Sequence, residues 1–447
     1  MINSSIDNKN NTIYSTISAV VLLVATFYIA FVPTQSDFFD IIIAGGIAFA
    51  GYGYLSFFSN TKARQIFGLG MIIRFGMLFA FPNLSDDIYR FVWDGQLSAY
   101  GLNPYEYLPS DIISNMDSPF WQELFTNMNS PDYYTIYPPF TQLIFFISTW
   151  AGENVWWSSF IIKVCFLIAE IFTFIGIVRL LESLKKNTSL AAIYFLNPLI
   201  IVEGMGNLHF EIIMVSFLTW AIYYTLIKEK IAVGALLFTL SIASKLLPLM
   251  FLPYFLFKLS GTKRIKFFAL GLTFILFAFL PIIIGLDIGN FGSSIDLYFQ
   301  KFEFNAGIYY LMRYIGQLWS GYNLIHYIGP LLGTFAVLLI LRKAYFSSTN
   351  SLQQFLDFAF FSFCSYLLLA TTVHPWYLVI PIMLSVFVRF RFVVTWSFLI
   401  MLSYINYSYD PYFENLWVVG LEYGLVFGII GYEYIWNGKR KERVKEF

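Results

Sequence analysis

Residues 12–32 read TIYSTISAVVLLVATFYIAFV, a stretch of about 20 residues without a charged side chain. A helix of this length spans the hydrocarbon core of a bilayer, and lipid offers no hydrogen-bond partners to an unfolded backbone. No small-residue cleavage site accompanies the stretch, so we expect a retained first helix rather than a signal peptide. Comparable apolar runs lie at Val155–Leu181, Ile265–Leu286, Tyr322–Leu341 and Leu416–Ile435. The repetition predicts several membrane helices.

The overall composition agrees with these runs. Hydrophobic residues make up 58% of the 447 residues and charged residues 12%, whereas a soluble domain averages roughly 25% charged residues. The formal net charge is +0, which does not indicate nucleic-acid binding, and Cys165 and Cys364 both lie in apolar runs, which argues against a disulfide scaffold or a metal knuckle. We predict an all-α polytopic membrane helix bundle of about 12–14 transmembrane helices, forming a single domain over residues 1–447, with no metal and no cofactor.

The positive charges predict the orientation of this bundle. Basic clusters lie at Lys62/Arg64, Lys185/Lys186, Lys228/Lys230, Lys263/Arg264/Lys266, Arg342/Lys343, Arg389/Arg391 and Lys439–Lys445. Polar connections nearly free of Lys and Arg lie between them, at about residues 34–38, 83–154, 204–207, 287–305, 371–375 and 408–414. Lys and Arg concentrate on the cytoplasmic side of membrane proteins. We therefore expect both termini to be cytoplasmic, an even number of crossings, and residence in a plasma or inner membrane.

Two segments do not fit simple crossings. Pro139–Trp150 is apolar but only about 12 residues long, the length of an interfacial or re-entrant segment, and we expect it to lie on the outer surface. Ile231–Phe257 lies between two basic clusters and contains Lys245 and Pro248 near its middle. Two short helices that meet near Lys245 would satisfy the charge rule.

The connection at residues 83–154 is predicted to be a large outer loop. It carries nine acidic residues against one basic residue, Arg90, and it is rich in aromatic residues and proline. A connection of about 70 residues is too long to serve only as a link. The aromatic content favours a folded layer of short helices over disorder.

The loop begins with Ser85, Asp86 and Asp87, at the predicted membrane boundary. Adjacent carboxylates that are partly desolvated repel one another, which raises one pKa and provides a proton acceptor near neutral pH. The structural alternative is a helix N-cap, in which Ser85 or Asp86 caps the helix and the acids lie in its first turn. Asp94 lies four residues after Arg90, the spacing of a helical ion pair.

Three motifs follow one another along this loop: DDIYRFVWDG at 86–95, YGLNPY at 100–105 and YPPFTQL at 137–143. Together they resemble the first outer loop of GT-C glycosyltransferases, above all bacterial polyprenol-phosphate-mannose-dependent mannosyltransferases and the GPI-anchor mannosyltransferase. In those families the acidic motif supplies the catalytic base. The resemblance implies Asp86 or Asp87 as the catalytic residue here. It implies substrate-binding roles for Arg90, Asp94, Tyr105 and Tyr137.

Later segments are similar to further elements of those families: EGMGNLHFE at 203–211, SKLLP at 244–248 and TVHPWY at 372–377. The first segment has His-Phe-Glu at 209–211, where those families usually have His-Asn-Asp. The candidate substrate-binding residues in the later part of the chain are His209, Glu211, Lys245, Arg313 and His374. Lys245 within an apolar run should face a polar cavity or an anion, although snorkelling to the interface is an alternative. The others are either substrate contacts or packing, capping and interfacial residues.

The resemblance implies a membrane glycosyltransferase of the mannosyltransferase type. Its donor would be a polyprenyl-phosphate monosaccharide, and its acceptor a glycan or glycolipid of the cell envelope outside the cytoplasm. One acid, Asp86 or Asp87, would accept the acceptor's proton, while Lys245 with Arg313 or His374 would hold the phosphate, and direct displacement would invert the anomeric centre. A secondary transporter with a broken helix at Lys245 is one alternative. A non-catalytic membrane protein of envelope assembly is the other.

Overall fold

The computed structural model describes residues 2–285, 302–347 and 351–445 of the chain. Its α-helices are α1 (Ile2–Phe31), α2 (Phe38–Phe57), α3 (Ala63–Met77), α4 (Asp87–Ala99), α5 (Pro109–Ile112), α6 (Pro119–Asn127), α7 (Pro139–Ser148), α8 (Val155–Ser183), α9 (Ala192–Phe195), α10 (Glu211–Ile222), α11 (Ile231–Ser244), α12 (Leu252–Lys258), α13 (Gly261–Ala278), α14 (Leu280–Gly285), α15 (Ile308–Ser320), α16 (Ile325–Phe346), α17 (Leu352–Leu369), α18 (Val379–Ser385), α19 (Phe392–Leu399) and α20 (Leu416–Lys445).

Shorter helical segments connect these helices. The 3-10 helices are Ile113–Asn115, Thr149–Ala151, Thr188–Ala191, Leu247–Phe251, Pro375–Leu378 and Ile400–Ser408, and the π-helical segments are Ile200–Gly206 and Tyr223–Ile227. Within the described residues there is no strand, and an isolated β-bridge joins Phe304 to Thr372. The prediction of an all-α bundle is confirmed.

Six helices in the described ranges are long and apolar enough to cross a membrane: α1, α2, α8, α16, α17 and α20. The segments Thr188–Phe195 and Ile200–Gly206, bent by 61°, add a seventh crossing if they form one span. Shorter apolar helices cover Glu211–Ile227, Ile231–Ser244, Leu247–Lys258, Pro375–Ser385 and Phe392–Ser408. The chain is thus a multi-pass membrane protein. The number of crossings, about 12–14, and the side of each terminus stay predictions.

Each of the five apolar runs singled out in the sequence is helical over most of its described length. The run Ile265–Leu286 is divided between α13 and α14, and its last residue lies outside the described residues. Of the predicted polar connection 287–305, residues 287–301 also lie outside them. On α1, Ile17, Val20 and Val24 are each more than half exposed. An uncovered apolar face of this kind is stable against lipid.

A buried polar network joins three of the helices. The Arg74 guanidinium on α3 contacts the Glu170 carboxylate on α8, with Nη2 to Oε2 at 2.5 Å, and both side chains are fully buried. Tyr194 on α9 donates to the other oxygen of Glu170 at 2.7 Å, and Arg74 also donates to the carbonyl of Phe195 at 2.7 Å. Because a charge inside a membrane protein requires a partner, this network fixes α3, α8 and α9 relative to one another.

The predicted break in Ile231–Phe257 is confirmed. Helix α11 ends at Ser244, and Lys245 has an extended backbone with φ −162° and ψ 139°. The chain then continues as the 3-10 helix Leu247–Phe251 and α12. The break places the ammonium group of Lys245 at a helix end rather than on a helix face.

The long loop is a layer of short helices, α4 to α7, as the sequence predicts. Helices α5, α6 and α7 each begin with a proline, whose fixed φ suits the first helical turn. Phe91 of α4 stacks on Phe145 of α7 with ring centroids 4.5 Å apart. A Cβ atom at Gly95 would lie 2.4 Å from the carbonyl oxygen of Phe145, so only glycine permits this approach of α4 to α7.

Helix α7 is the segment predicted to be too short to cross. It covers Pro139–Ser148, and a 3-10 turn continues it to Ala151. Thr141 on its buried face donates to the carbonyl oxygen of Ser244 at 2.8 Å. This contact joins the loop layer to the break beside Lys245.

Candidate active site

A cavity of about 510 Å³ opens where α4 begins, a volume in the usual range for small-molecule sites. We call it the Asp86 cavity. Its lining residues are Gln35, Leu84, Ser85, Asp86, Asp87, Arg90, Asn129, Ser130, Tyr133, Tyr134, Thr135, Ile136, Tyr137, Phe302, His374, Pro375, Trp376, Tyr404 and Tyr407. Five predicted site residues are among them: Asp86, Asp87, Arg90, Tyr137 and His374. The other six, Asp94, Tyr105, His209, Glu211, Lys245 and Arg313, are not.

The two adjacent carboxylates have different surroundings. Asp86 is the residue before α4 and makes no side-chain capping bond, whereas Ser85 accepts from the backbone N–H of Asp87 at 3.4 Å. Asp87 accepts from the Asn129 side chain at 3.1 Å. Partial burial at the cavity, together with the negative charge of Asp87, raises the pKa of Asp86. Asp86 is therefore the better placed of the two to accept a proton.

Arg90 connects α4 to the opposite wall of the cavity. Its Nε donates to Asp94 at 2.8 Å, which is the ion pair expected from their spacing. Its Nη1 donates to the carbonyl oxygens of Ser130 and Tyr133, each at 2.8 Å. The second oxygen of Asp94 accepts from Gln142 at 2.8 Å. Fully buried and engaged at both oxygens, Asp94 supports the wall and does not reach the cavity.

Tyr105 and Tyr137 contact each other directly. The hydroxyl of Tyr105 donates to the carbonyl oxygen of Tyr137 at 2.6 Å. The ring of Tyr137 meets Phe91 and Phe145 edge to face, with centroids 5.0 and 5.3 Å apart. Tyr105 thus lies behind the cavity lining and holds Tyr137, which belongs to it.

Four aromatic rings form a stack along another side of the cavity. The ring of Trp376 stacks on His209 with centroids 3.7 Å apart and on His374 with centroids 4.4 Å apart. His374 in turn stacks on Phe304 with centroids 4.6 Å apart. Burial, with smaller contributions from the charges of His209 and Lys245, lowers the pKa of His374 to about 3. His374 is accordingly a neutral ring near pH 7. It offers a hydrogen bond but no charge.

The predicted phosphate-binding cations are each already paired. The ammonium of Lys245 lies 2.5 Å from Oε1 of the fully buried Glu211, and the Lys245 side chain is 27% exposed. Arg313 on α15 forms an ion pair with Glu303 and lies over the ring of Tyr310 at 4.4 Å. Arg313 thus belongs to a polar cluster with Glu303 and does not line the cavity. Among the described residues that line the cavity, Arg90 is the only lysine or arginine.

Sequence reasoning missed several lining residues. Tyr404 and Tyr407 come from the 3-10 helix Ile400–Ser408, and Asn129 comes from the connection between α6 and α7. The signal for the two tyrosines was their spacing of three residues within an apolar segment, which places both on one face of a 3-10 helix. No group of three or more His, Cys, Asp or Glu side chains suited to a metal ion occurs in the part of the chain that the structure describes.

Comparison with known proteins identifies the family. Residues 16–260 match the family described as "Alpha-(1->6)-mannopyranosyltransferase, N-terminal domain". The chain belongs to this family. Alpha-(1->6)-mannopyranosyltransferase A of Mycobacterium tuberculosis is 29% identical over 173 residues, which are 38% of this chain and 32% of that protein. GPI mannosyltransferase 1 of Debaryomyces hansenii is 28% identical over 194 residues, 40% of this chain and 44% of that protein.

These matches confirm the resemblance to GT-C mannosyltransferases. The matched part of this chain covers about a third of the Mycobacterium tuberculosis protein and less than half of the Debaryomyces hansenii protein. No solved structure matches. The mannopyranosyltransferase match includes both carboxylates, the whole loop layer, Glu211 and Lys245, whereas His374, Tyr404 and Tyr407 lie beyond residue 260. The cavity lining is therefore shared between the matched region and the remainder of the chain.

Proposed function

We propose that this protein is a membrane mannosyltransferase that transfers a monosaccharide, with inversion, from a polyprenyl-phosphate donor to a glycan or glycolipid acceptor outside the cytoplasm. One observation carries the proposal. Asp86, a carboxylate whose pKa is raised, lines a cavity of about 510 Å³ in a chain of the alpha-(1->6)-mannopyranosyltransferase family. The aromatic rings around it, among them Tyr407 and Trp376, suit the faces of a sugar.

The proposed reaction is a single displacement. The acceptor hydroxyl attacks the anomeric carbon of the donor sugar and forms the new glycosidic bond, while its proton passes to a carboxylate oxygen of Asp86. The bond from the anomeric carbon to the phosphate oxygen breaks, and the phosphate leaves with the electron pair. Asp86 and Asp87 are the only acids among the described lining residues, and in this proposal neither is the nucleophile: Asp86 is the base, and Asp87 accepts a hydrogen bond from Asn129. Attack and departure on opposite faces invert the anomeric centre.

The donor phosphate requires positive charge, and Lys245 is our candidate to supply it. Its ammonium lies at the helix break, partly exposed, and the Glu211 carboxylate fixes its position. A lysine in this environment has unused N–H donors for a phosphate oxygen. His374 would add a hydrogen bond from a neutral ring. Lys245 and Arg313 are both ion-paired and neither lines the cavity, but Lys245 lies close enough to the lining residue His374 for its charge to lower the pKa of that ring. Arg313 pairs with Glu303 and lies over the ring of Tyr310, so we leave it out of this proposal.

The test uses membranes that contain the full-length protein and a radiolabelled polyprenyl-phosphate mannose. We expect transfer of label to endogenous lipid or glycan, and loss of that transfer in the Asp86→Asn variant. Asp117→Asn is the matched control, because Asp117 is an exposed acid of the same loop that does not line the cavity. Transfer that survives in Asp86→Asn would exclude the assigned base. Absence of any transfer by the wild-type protein, across donors of different sugars, would favour the non-catalytic alternative.

A further inference from the structure

We propose that Glu203 is a positioning residue: a buried carboxylate that contacts three segments around the Asp86 cavity and thereby fixes the geometry of Asp86. The inference rests on the proposed function, because it concerns the same reaction. Glu203 is fully buried in the π-helical segment Ile200–Gly206. It does not line the cavity, and neither the loop motifs nor the predicted phosphate clamp includes it.

The first contact leads from Glu203 to the base. The side-chain amide of Asn207 donates to Oε2 of Glu203 at 3.4 Å, and the amide oxygen of Asn207 accepts from the backbone N–H of Leu84 at 3.2 Å. Leu84 lies two residues before Asp86 and lines the cavity. Glu203 therefore fixes, through Asn207, the position of the backbone at Leu84. The chain continues from there through Asp86 into α4.

The other two contacts lead to lining residues from the later part of the chain. The hydroxyl of Tyr404, a lining residue, donates to Oε1 of Glu203 at 2.5 Å. Nε2 of His209 lies 3.4 Å from Oε2, and the ring of His209 stacks on Trp376, another lining residue. One carboxylate thus joins the segment before α4, the 3-10 helix Ile400–Ser408 and the ring stack.

The charge of Glu203 argues for a purpose beyond packing. Among the described residues, His209 is the only basic side chain within 4 Å of its carboxylate, and no lysine or arginine pairs with it. A buried carboxylate without a full counter-charge is costly, and a glutamine of the same shape would avoid most of that cost. The π-helical turn that carries it is itself a rare conformation that occurs frequently at functional sites. Together these features indicate a carboxylate kept for its short, charge-assisted hydrogen bond from Tyr404 and for the position it gives Asn207.

The test is a kinetic comparison of Glu203→Gln with the wild-type protein, in purified full-length form. We expect kcat to fall about 10- to 100-fold, the usual effect of moving a reacting group by a fraction of an ångström to 1 Å, while the donor KM changes little. The matched control is Glu170→Gln. Glu170 is also fully buried and also accepts from a tyrosine, Tyr194, but none of its partners lines the cavity. We expect near wild-type kcat for the folded fraction of that control.

A double variant separates positioning from a general structural role. If Glu203 acts by placing Asp86, then adding Glu203→Gln to Asp86→Asn should lower kcat by less than about twofold further. Additive losses would overturn the inference while leaving the proposed function intact. Wild-type turnover in Asp86→Asn alone would instead overturn the proposed function. If Glu203→Gln does not fold, Asn207→Leu, which removes the acceptor of the Leu84 N–H, must give the same kinetic loss.

Discussion

At the residue scale, Asp86 and Asp87 are neighbours in sequence with different freedom to react. Both carboxylates line the cavity, but Asp87 accepts a hydrogen bond from Asn129 at 3.1 Å, whereas partial burial and the charge of Asp87 raise the pKa of Asp86. We expect Asp86→Asn to lower turnover about 10²- to 10⁴-fold, the usual contribution of a general base, with near-normal donor binding. Asp87→Asn should lower turnover much less, because the side-chain oxygen of the new asparagine can still accept the hydrogen bond from Asn129. Equal and mild effects in the two variants, measured by radiolabel transfer, would contradict the assignment.

The pH dependence of transfer tests the same residue. Asp86 must be ionised to accept a proton, so the rate should fall as the pH drops through its pKa. Burial and the charge of Asp87 raise that pKa, so the acid limb should lie above the range of an ordinary aspartate, about 3.9. The profile of kcat/KM reports the free enzyme. This limb should be absent from the residual activity of Asp86→Asn, and its persistence there would assign it to another group.

Lys245 gives a third prediction at this scale. Lys245→Met should weaken donor use, because it removes the charge proposed to hold the phosphate and leaves the fully buried Glu211 without its partner. Lys245→Arg should restore little, since a planar guanidinium does not replace a point charge at 2.5 Å from Glu211. Steady-state kinetics at varied donor concentration measure the effect. A folded Met variant with wild-type donor KM and kcat would exclude Lys245 from the phosphate site.

At the element scale, the loop layer depends on Arg90, which joins α4 to Ser130 and Tyr133. Arg90→Met leaves Asp94 buried without its counter-ion, a change that typically costs about 3–5 kcal/mol. We therefore expect a clearly lower thermal unfolding temperature in detergent. Arg179→Met removes a helical ion pair with Glu182 whose side chains are 57% and 49% exposed, so it should change the unfolding temperature little. Equal shifts in both variants would contradict a supporting role for Arg90.

The same elements show which contacts a sequence reveals. Arg90 and Asp94 are four residues apart on one helix, and their ion pair follows from helical geometry alone. The break at Lys245 was predictable because a lysine and a proline interrupt an apolar run. Glu211 and Lys245 lie 34 residues apart, and Glu203 and Tyr404 lie 201 apart. Such pairs depend on how the helices pack against one another. The residue pattern of a single segment does not predict that packing.

At the scale of the whole molecule, the lengths of the apolar runs predicted the helices. The backbone amides of such a run must form their hydrogen bonds within a helix, because lipid offers them no partners. Length alone does not settle how many helices cross. Several apolar helices, such as Ile231–Ser244 and Phe392–Ser408, are shorter than a bilayer core requires. The cavity likewise draws on residues from both ends of the chain, from Gln35 to Tyr407. The TVHPWY segment pointed to His374, but nothing in the sequence motifs predicted the contributions of Phe302, Tyr404 and Tyr407.

The orientation of the bundle is the last prediction, and the proposed site depends on it. Lys and Arg are concentrated at alternate connections and in the segment after Trp436, which predicts a cytoplasmic C-terminus. A reporter fused after Phe447 should therefore be cytoplasmic, and one inserted near Asn115, in an exposed part of the loop layer, should be outside. The same two positions can be measured with single cysteines introduced there, by their labelling with a membrane-impermeant reagent. A loop layer found on the cytoplasmic side would place Asp86 away from a lipid-linked donor outside the cytoplasm and would require a different acceptor class.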